Sequence, residues 1–239
     1  MISPGDRALH AARNNADLYE AMFAAHGLDY RRDPVLWRAL AAPLPYYAAA
    51  LVLCPGDAAD VSAALALALA PFAGGASVKD GFATLDLRPL GLEVGFRARW
   101  IWAEDPGNGR QAPWDIITSE DDLATWEDGW KAGGSATPAR MFPAECLSSG
   151  KMQFCGRRSG TGFDAGCIVN RSGAVVGLSN VFGPEQDQSL FSAALAMAAC
   201  VGTGRPVAGY EQGAALDAAM AAGFADAGPL IVWFPRSGE

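Results

Sequence analysis

The chain has 239 residues, 51% of them hydrophobic and 18% charged, and carries a formal net charge of −8. A chain of this size buries about 70% of its unfolded surface, and the composition excludes a largely disordered protein. The net negative charge repels a phosphate backbone, so nucleic acid is not an expected partner; the nearest basic cluster, Lys151, Arg157, Arg158 and Arg171, fits a solvated loop better than a groove reader.

Cys54, Cys146, Cys155, Cys167 and Cys200 form an odd set without a Cys-x-x-Cys pair, the pattern of reduced thiols in a cytoplasm. The only histidines, His10 and His26, stand outside ligand-like spacing with a cysteine, so no metal is expected. The segment Met1–Arg7 lacks the charged-then-apolar order of a secretory signal. The longest apolar stretch, Val61 to Ala76, is interrupted by Ser62 and Pro71 and falls short of the ~20 residues that span a bilayer. A soluble, cytoplasmic protein without a membrane partner is expected.

In chain order, Leu18, Met22 and Ala25 share one helical face and predict a helix over 11–25, stopped by His26-Gly27. Residues 46–53 read as a strand ended by Cys54-Pro55-Gly56, after which Asp57 caps a helix running to about Ala70. Residues 82–87 and 92–102 alternate in part and predict an antiparallel hairpin. The turn-rich segment 105–113 sets a division into an amino-terminal α/β domain, 1–105, and a second domain, 106–239. Beyond it, Ile116-Ile117 forms a short strand, and Ser119 with Asp122 opens a helix bearing Leu123, Trp126 and Trp130 on one face. Strands over 152–155, 163–169 and 174–182 make a meander; a helix over 188–200, a strand over 206–210, a helix over 214–222 and a strand over 230–234 complete an α/β pattern.

Residues 163–234 resemble the carboxy-terminal part of the GNAT acetyltransferase superfamily. The resemblance is carried by Val207-Ala-Gly-Tyr-Glu-Gln-Gly, the helix over 214–222 ending in Gly223-Phe224, and Gly228-Pro-Leu-Ile-Val-Trp233; the segment Trp114–Trp130 is similar to the family's opening strand and helix. The first half matches no quotable motif, although its element order suggests a degenerate copy in tandem. The resemblance implies a mixed sheet flanked by helices, an acetyl-CoA or other acyl-CoA donor, and an amine acceptor. It also implies that backbone donors at Val181 and Phe182 orient the thioester, and that Gly183, Gln188 and Ser189 lie where the family holds the coenzyme.

Two departures qualify it. The family's pyrophosphate loop is glycine-rich, because backbone N–H groups must approach the phosphates at a helix N-terminus. Here the loop reads Phe182-Gly-Pro-Glu-Gln-Asp-Gln-Ser189, with two carboxylates and a proline that lacks an N–H. The tyrosine that many members place four residues before the helix-ending glycine is Ala219. The remaining acid–base candidates are Tyr210 and Glu211 at the end of the fifth strand, where a partly buried Glu gains basicity, although Glu211 as a helix cap and Tyr210 as a packed ring is the simpler reading. Ser179 and Asn180 either make polar contacts on the splayed strand or end it at a bulge. Three functions stay open: N-acetyltransfer to a small amine, cationic if the acidic stretch Asp115–Asp128 guides it; a non-catalytic or repurposed binding module that has lost CoA; and an acyltransferase fed by a carrier protein. A homodimer is also left open.

Overall fold

In the computed structural model, which describes residues 2–72, 75–107 and 112–236, the strands assemble into one sheet. The chain opens with α1 (Arg7–Ala25), then β1 (Tyr30–Arg32), β2 (Leu36–Ala39), β3 (Ala50–Val52), α2 (Ala58–Leu69) and β4 (Val78–Asp80). Asp57 caps α2 as expected, accepting from Ala59 N at 2.9 Å and Asp60 N at 3.2 Å. A long strand, β5 (Leu92–Ala103), precedes β6 (Asp115–Ile116), α3 (Glu120–Ala132) and the single turn α4 (Glu145–Ser148). The meander β7 (Met152–Ser159), β8 (Gly162–Ser172) and β9 (Val175–Phe182) is followed by α5 (Gln188–Gly202), β10 (Val207–Glu211), α6 (Gly213–Ala221) and β11 (Ala225–Pro235). Ser119 caps α3 by accepting from Asp122 N at 3.2 Å, which is the contact its sequence spacing implied.

The strand order is β1-β2-β3-β4-β11-β5-β10-β9-β8-β7-β6. Residues 1–105 and 106–239 therefore share a sheet, and β5 lies between two strands of the second half: Trp102 opposes Ala208 of β10 and Ala225 of β11. The expected hairpin between 82–87 and 92–102 is not formed. Asp80 takes the first of these segments out of extended geometry, its carboxylate accepting from Phe82 N at 3.1 Å and Leu85 N at 2.9 Å while Ala83 adopts φ 54°. The apolar row of β5 finds its partners in the second half instead. The turn-rich segment between the halves lies outside the described residues at 108–111.

Helix α1 is buried on two faces. Ala16, Tyr19 and Phe23 pack on Trp37 and Leu51 in the first half, while Leu18 and Met22 join Trp126, Phe142 and Phe154 in the second. A helix locked into both cores ties the halves together. Gly223 ends the α6 turn at φ 105°, and Phe224 behind it is buried against α5 and α6, so the Gly-Phe pair does what its chemistry suggests. No helix among the described residues is long and apolar enough to cross a membrane.

Candidate functional site

Strands β9 and β10 run parallel but stay in register only at Val176↔Val207 and Gly177↔Ala208, after which they part. A β-bulge on β9 widens the opening: Ile168 of β8 pairs with Ser179 and Gly166 with Phe182, which leaves one extra residue on β9, and Asn180 takes φ 52° there. Asn is among the few residues that tolerate this left-handed geometry. Ser179 and Asn180 thus lie at a bulge and line the opening, but they do not end the strand, which continues to Phe182.

The opening leads into a cavity of about 240 Å³. Its floor comes from Val181 on β9 and Gly209, Tyr210 and Glu211 on β10, and its far wall from α1 through Asn14, Asn15 and Tyr19. Tyr46, Tyr47, Trp130 and Ser135 also line it, and of these aromatics Tyr46 is the exposed one. Tyr46 bridges the halves, donating its hydroxyl to Ala136 O at 2.7 Å and setting its ring edge-on to Trp130.

Burial shapes the acid–base groups. It pushes the Glu211 carboxyl up to about 8, from an ordinary value of 4.5. It pushes the Tyr210 phenol up to about 12, with the neighbouring Glu211 charge adding to the effect. Behind these two lies Lys79 of β4, 3% exposed, whose Nζ donates to Asn15 Oδ1 at 2.9 Å and sits 4.1 Å from the Tyr210 ring centre and 5.2 Å from that of Tyr19. Removal from water lowers the Lys79 amine to about 7. Sequence reasoning missed Lys79, Asn14, Asn15, Tyr19, Tyr46 and Tyr47, all from the first half. The one available signal was a pair of asparagines on the otherwise apolar face of α1.

Glu211, Tyr210 and Val181 surround the cavity, whereas the other expected coenzyme residues do not. The Phe182 ring is buried in the core, edge-on to Trp126 at 5.1 Å, so only its backbone could serve a ligand. Gly183 is packed by Leu190, whose Cδ1 would lie 2.8 Å from an added Cβ. Gln188 turns away to donate to Ala221 O at 2.9 Å, tying α5 to α6. Ser189 faces a separate cleft of about 150 Å³ beside Trp114, Arg157, Glu185 and Asp187. None of the six carboxylates between Asp115 and Asp128 lines the cavity; Arg158 pairs with Asp115 and Asp122, and Glu127 accepts from the backbone of Met141 and Phe142.

At the start of α5, Asp187 occupies the anion position itself. Its Oδ1 accepts from Leu190 N at 2.9 Å and from Ser189 Oγ at 2.8 Å, and these contacts hold its carboxyl below the usual range. A CoA pyrophosphate does not fit this loop, because the N–H it would use is already spent on a carboxylate and Glu185 adds a second negative charge. The double variant Asp187→Ser, Glu185→Gln keeps a capping oxygen and removes both charges. It should bind CoA a few-fold more tightly than the parent in calorimetry, with the larger gain at low salt. Equal binding at every ionic strength would show that the loop does not face the coenzyme.

Solved structures share this architecture across the chain. A GCN5-related N-acetyltransferase from Kribbella flavida superposes with a TM-score of 0.61 at 15% identity, covering 95% of this chain and 96% of that one. A functionally unknown conserved protein from Staphylococcus epidermidis gives 0.61 at 13% identity, covering 90% and 98%. A GCN5-related N-acetyltransferase from Sphaerobacter thermophilus gives 0.50 at 13% identity, covering 100% and 95%. The chain shares the fold of these GCN5-related N-acetyltransferase structures. No protein-family model matches the sequence, and no curated protein matches it.

Proposed function

We propose that the protein is a GNAT-like acyltransferase that moves an acyl group from a thioester to an amine bound in the cavity between β9 and β10. The observation that carries this reading is the juxtaposition, at the bulged and parted strands, of a half-buried carboxyl raised to about 8 and a buried phenol, Glu211 and Tyr210. Glu211 takes one proton from the bound ammonium, and the neutral nitrogen attacks the thioester carbonyl carbon. The backbone at Val181 and Phe182 borders the carbonyl oxygen, the C–S bond breaks, the Tyr210 hydroxyl supplies the proton that the departing sulfur needs, and the second proton that the nitrogen loses on becoming an amide restores the phenol.

A second reading of the donor is favoured by the Asp187 cap. A thioester carried on the phosphopantetheine arm of a carrier protein has no adenosine pyrophosphate to place at α5, so the occupied helix start does not oppose it. Titration calorimetry with acetyl-CoA and with acetyl-phosphopantetheine separates the two. The shorter donor should bind at least as tightly as acetyl-CoA, because the missing pyrophosphate forfeits nothing at this loop. Acetyl-CoA binding much more tightly would restore the ordinary coenzyme site, and binding of neither would favour a repurposed module without a thioester substrate.

A further inference from the structure

We infer that the cavity selects a monoamine whose remaining body is uncharged and apolar or aromatic, and that it discriminates against α-amino acids and diamines. The inference rests on reading the cavity as the acceptor site. Among the described residues that line it, Glu211 is the one acidic or basic side chain, while six are aromatic: Tyr19, Tyr46, Tyr47, Trp100, Trp130 and Tyr210. Rings of this kind attract an ammonium through their π faces and bury apolar surface at the same time.

The position of charge sets the orientation. A single ammonium belongs at the Glu211 end, where a carboxylate can meet it. The α1 side of the cavity presents Asn15 and Tyr19, and beside these stands the Lys79 amine. A second ammonium on the ligand body would be driven towards Lys79 without a carboxylate to receive it. An α-carboxylate would lie beside its own ammonium and hence against Glu211, with no Lys or Arg among the described lining residues to offset the repulsion. The volume of about 240 Å³ admits a compact side chain and excludes a long peptide segment.

Binding is also linked to protons. Burial favours the neutral form of Glu211, so an ammonium that arrives on it must drive ionisation and release a proton. Beside Tyr210, the neighbour of Glu211, stand the Lys79 amine, which burial lowers to about 7, and the Tyr19 phenol, which burial raises.

The test is calorimetry on the full chain without any acyl donor, so that it reads acceptor binding independently of turnover. The probes are phenethylamine, its alcohol analogue 2-phenylethanol, phenylalanine and 1,4-diaminobutane, each in two buffers of different ionisation heat. Phenethylamine should bind roughly tenfold or more tightly than the other three and should release a proton. In Glu211→Gln its affinity should fall to that of the alcohol, without proton release. Comparable binding of phenylalanine or the diamine would overturn the inference, as would absence of phenethylamine binding or an advantage that survives Glu211→Gln. An acyl-transfer assay on the same amines reports separately on the acyltransferase reading, which fails if the monoamine binds and is never acylated by either thioester.

Discussion

Replacing Lys79 by Met is expected to raise the stability of the protein at neutral and mildly acidic pH. An ammonium taken out of water without a carboxylate partner is among the costliest groups a fold can hold. Lys79 has Asn15 Oδ1 and two ring faces in place of an anion, and burial lowers its amine from 10.5 to about 7. For a group depressed in the folded state, the stability it contributes is present above the unfolded value and is lost as pH falls through the folded one. The wild type should therefore gain stability relative to Lys79→Met as pH rises from about 7 towards 10.5. A shift of this size corresponds to roughly 5 kcal/mol between the two limits. The substitution leaves the Asn15 carbonyl without its donor, which returns about 1–3 kcal/mol, so a net gain of about 2–4 kcal/mol is expected at about pH 6. Urea unfolding of both chains at about pH 6 and about pH 10 measures it, and the difference between them should shrink towards the alkaline end. A difference that does not change with pH would mean that Lys79 keeps its ordinary basicity and that water reaches it.

Much of the second half was legible in the sequence, because each of its elements carries its own local signal. Ser119 before a Leu-Trp-Trp face, Gly173 between two apolar runs and Gly223-Phe224 after a helix are short-range patterns, and the corresponding contacts are short-range as well. The first half resisted for the opposite reason. Strands β1, β3 and β4 are three residues long, too short to display alternation, and β5 pairs with chain more than a hundred residues away. The hairpin expected from the nearness of 82–87 to 92–102 gave way to that long-range pairing. The same split runs through the site. Glu211 and Tyr210 belong to a recognisable strand end, but the rings and amides opposite them arrive on α1 and the loop before β3, where nothing local marks a residue as facing a cavity. The helix start of α5 was legible as a poor phosphate loop from composition; that Asp187 itself fills the anion position depends on how the side chain folds back onto the helix start, which composition does not encode.

Changing Glu211 to Gln should lower the acyl-transfer kcat/KM by about two to four orders of magnitude, the range over which a positioned general base acts. The pH dependence carries the stronger argument. With its carboxyl raised to about 8 by burial, Glu211 is mostly protonated at neutral pH and becomes a base only as pH rises. The wild type should show a rate that climbs with a single-proton slope and levels off above about 8. The amine's own ionisation lies higher and is common to both chains, so only the lower limb should vanish in Glu211→Gln. Tyr210→Phe tests the other half of the chemistry: it leaves the limb in place and lowers the plateau, because the phenol supplies a proton to sulfur rather than taking one from nitrogen. That variant should recover most with thioesters whose thiol is more acidic, since a leaving group stable as a thiolate has less need of a proton. If Glu211→Gln retains both the limb and a rate within a few-fold of wild type, Glu211 does not touch the reacting amine, and the base is water or another group along the parted strands.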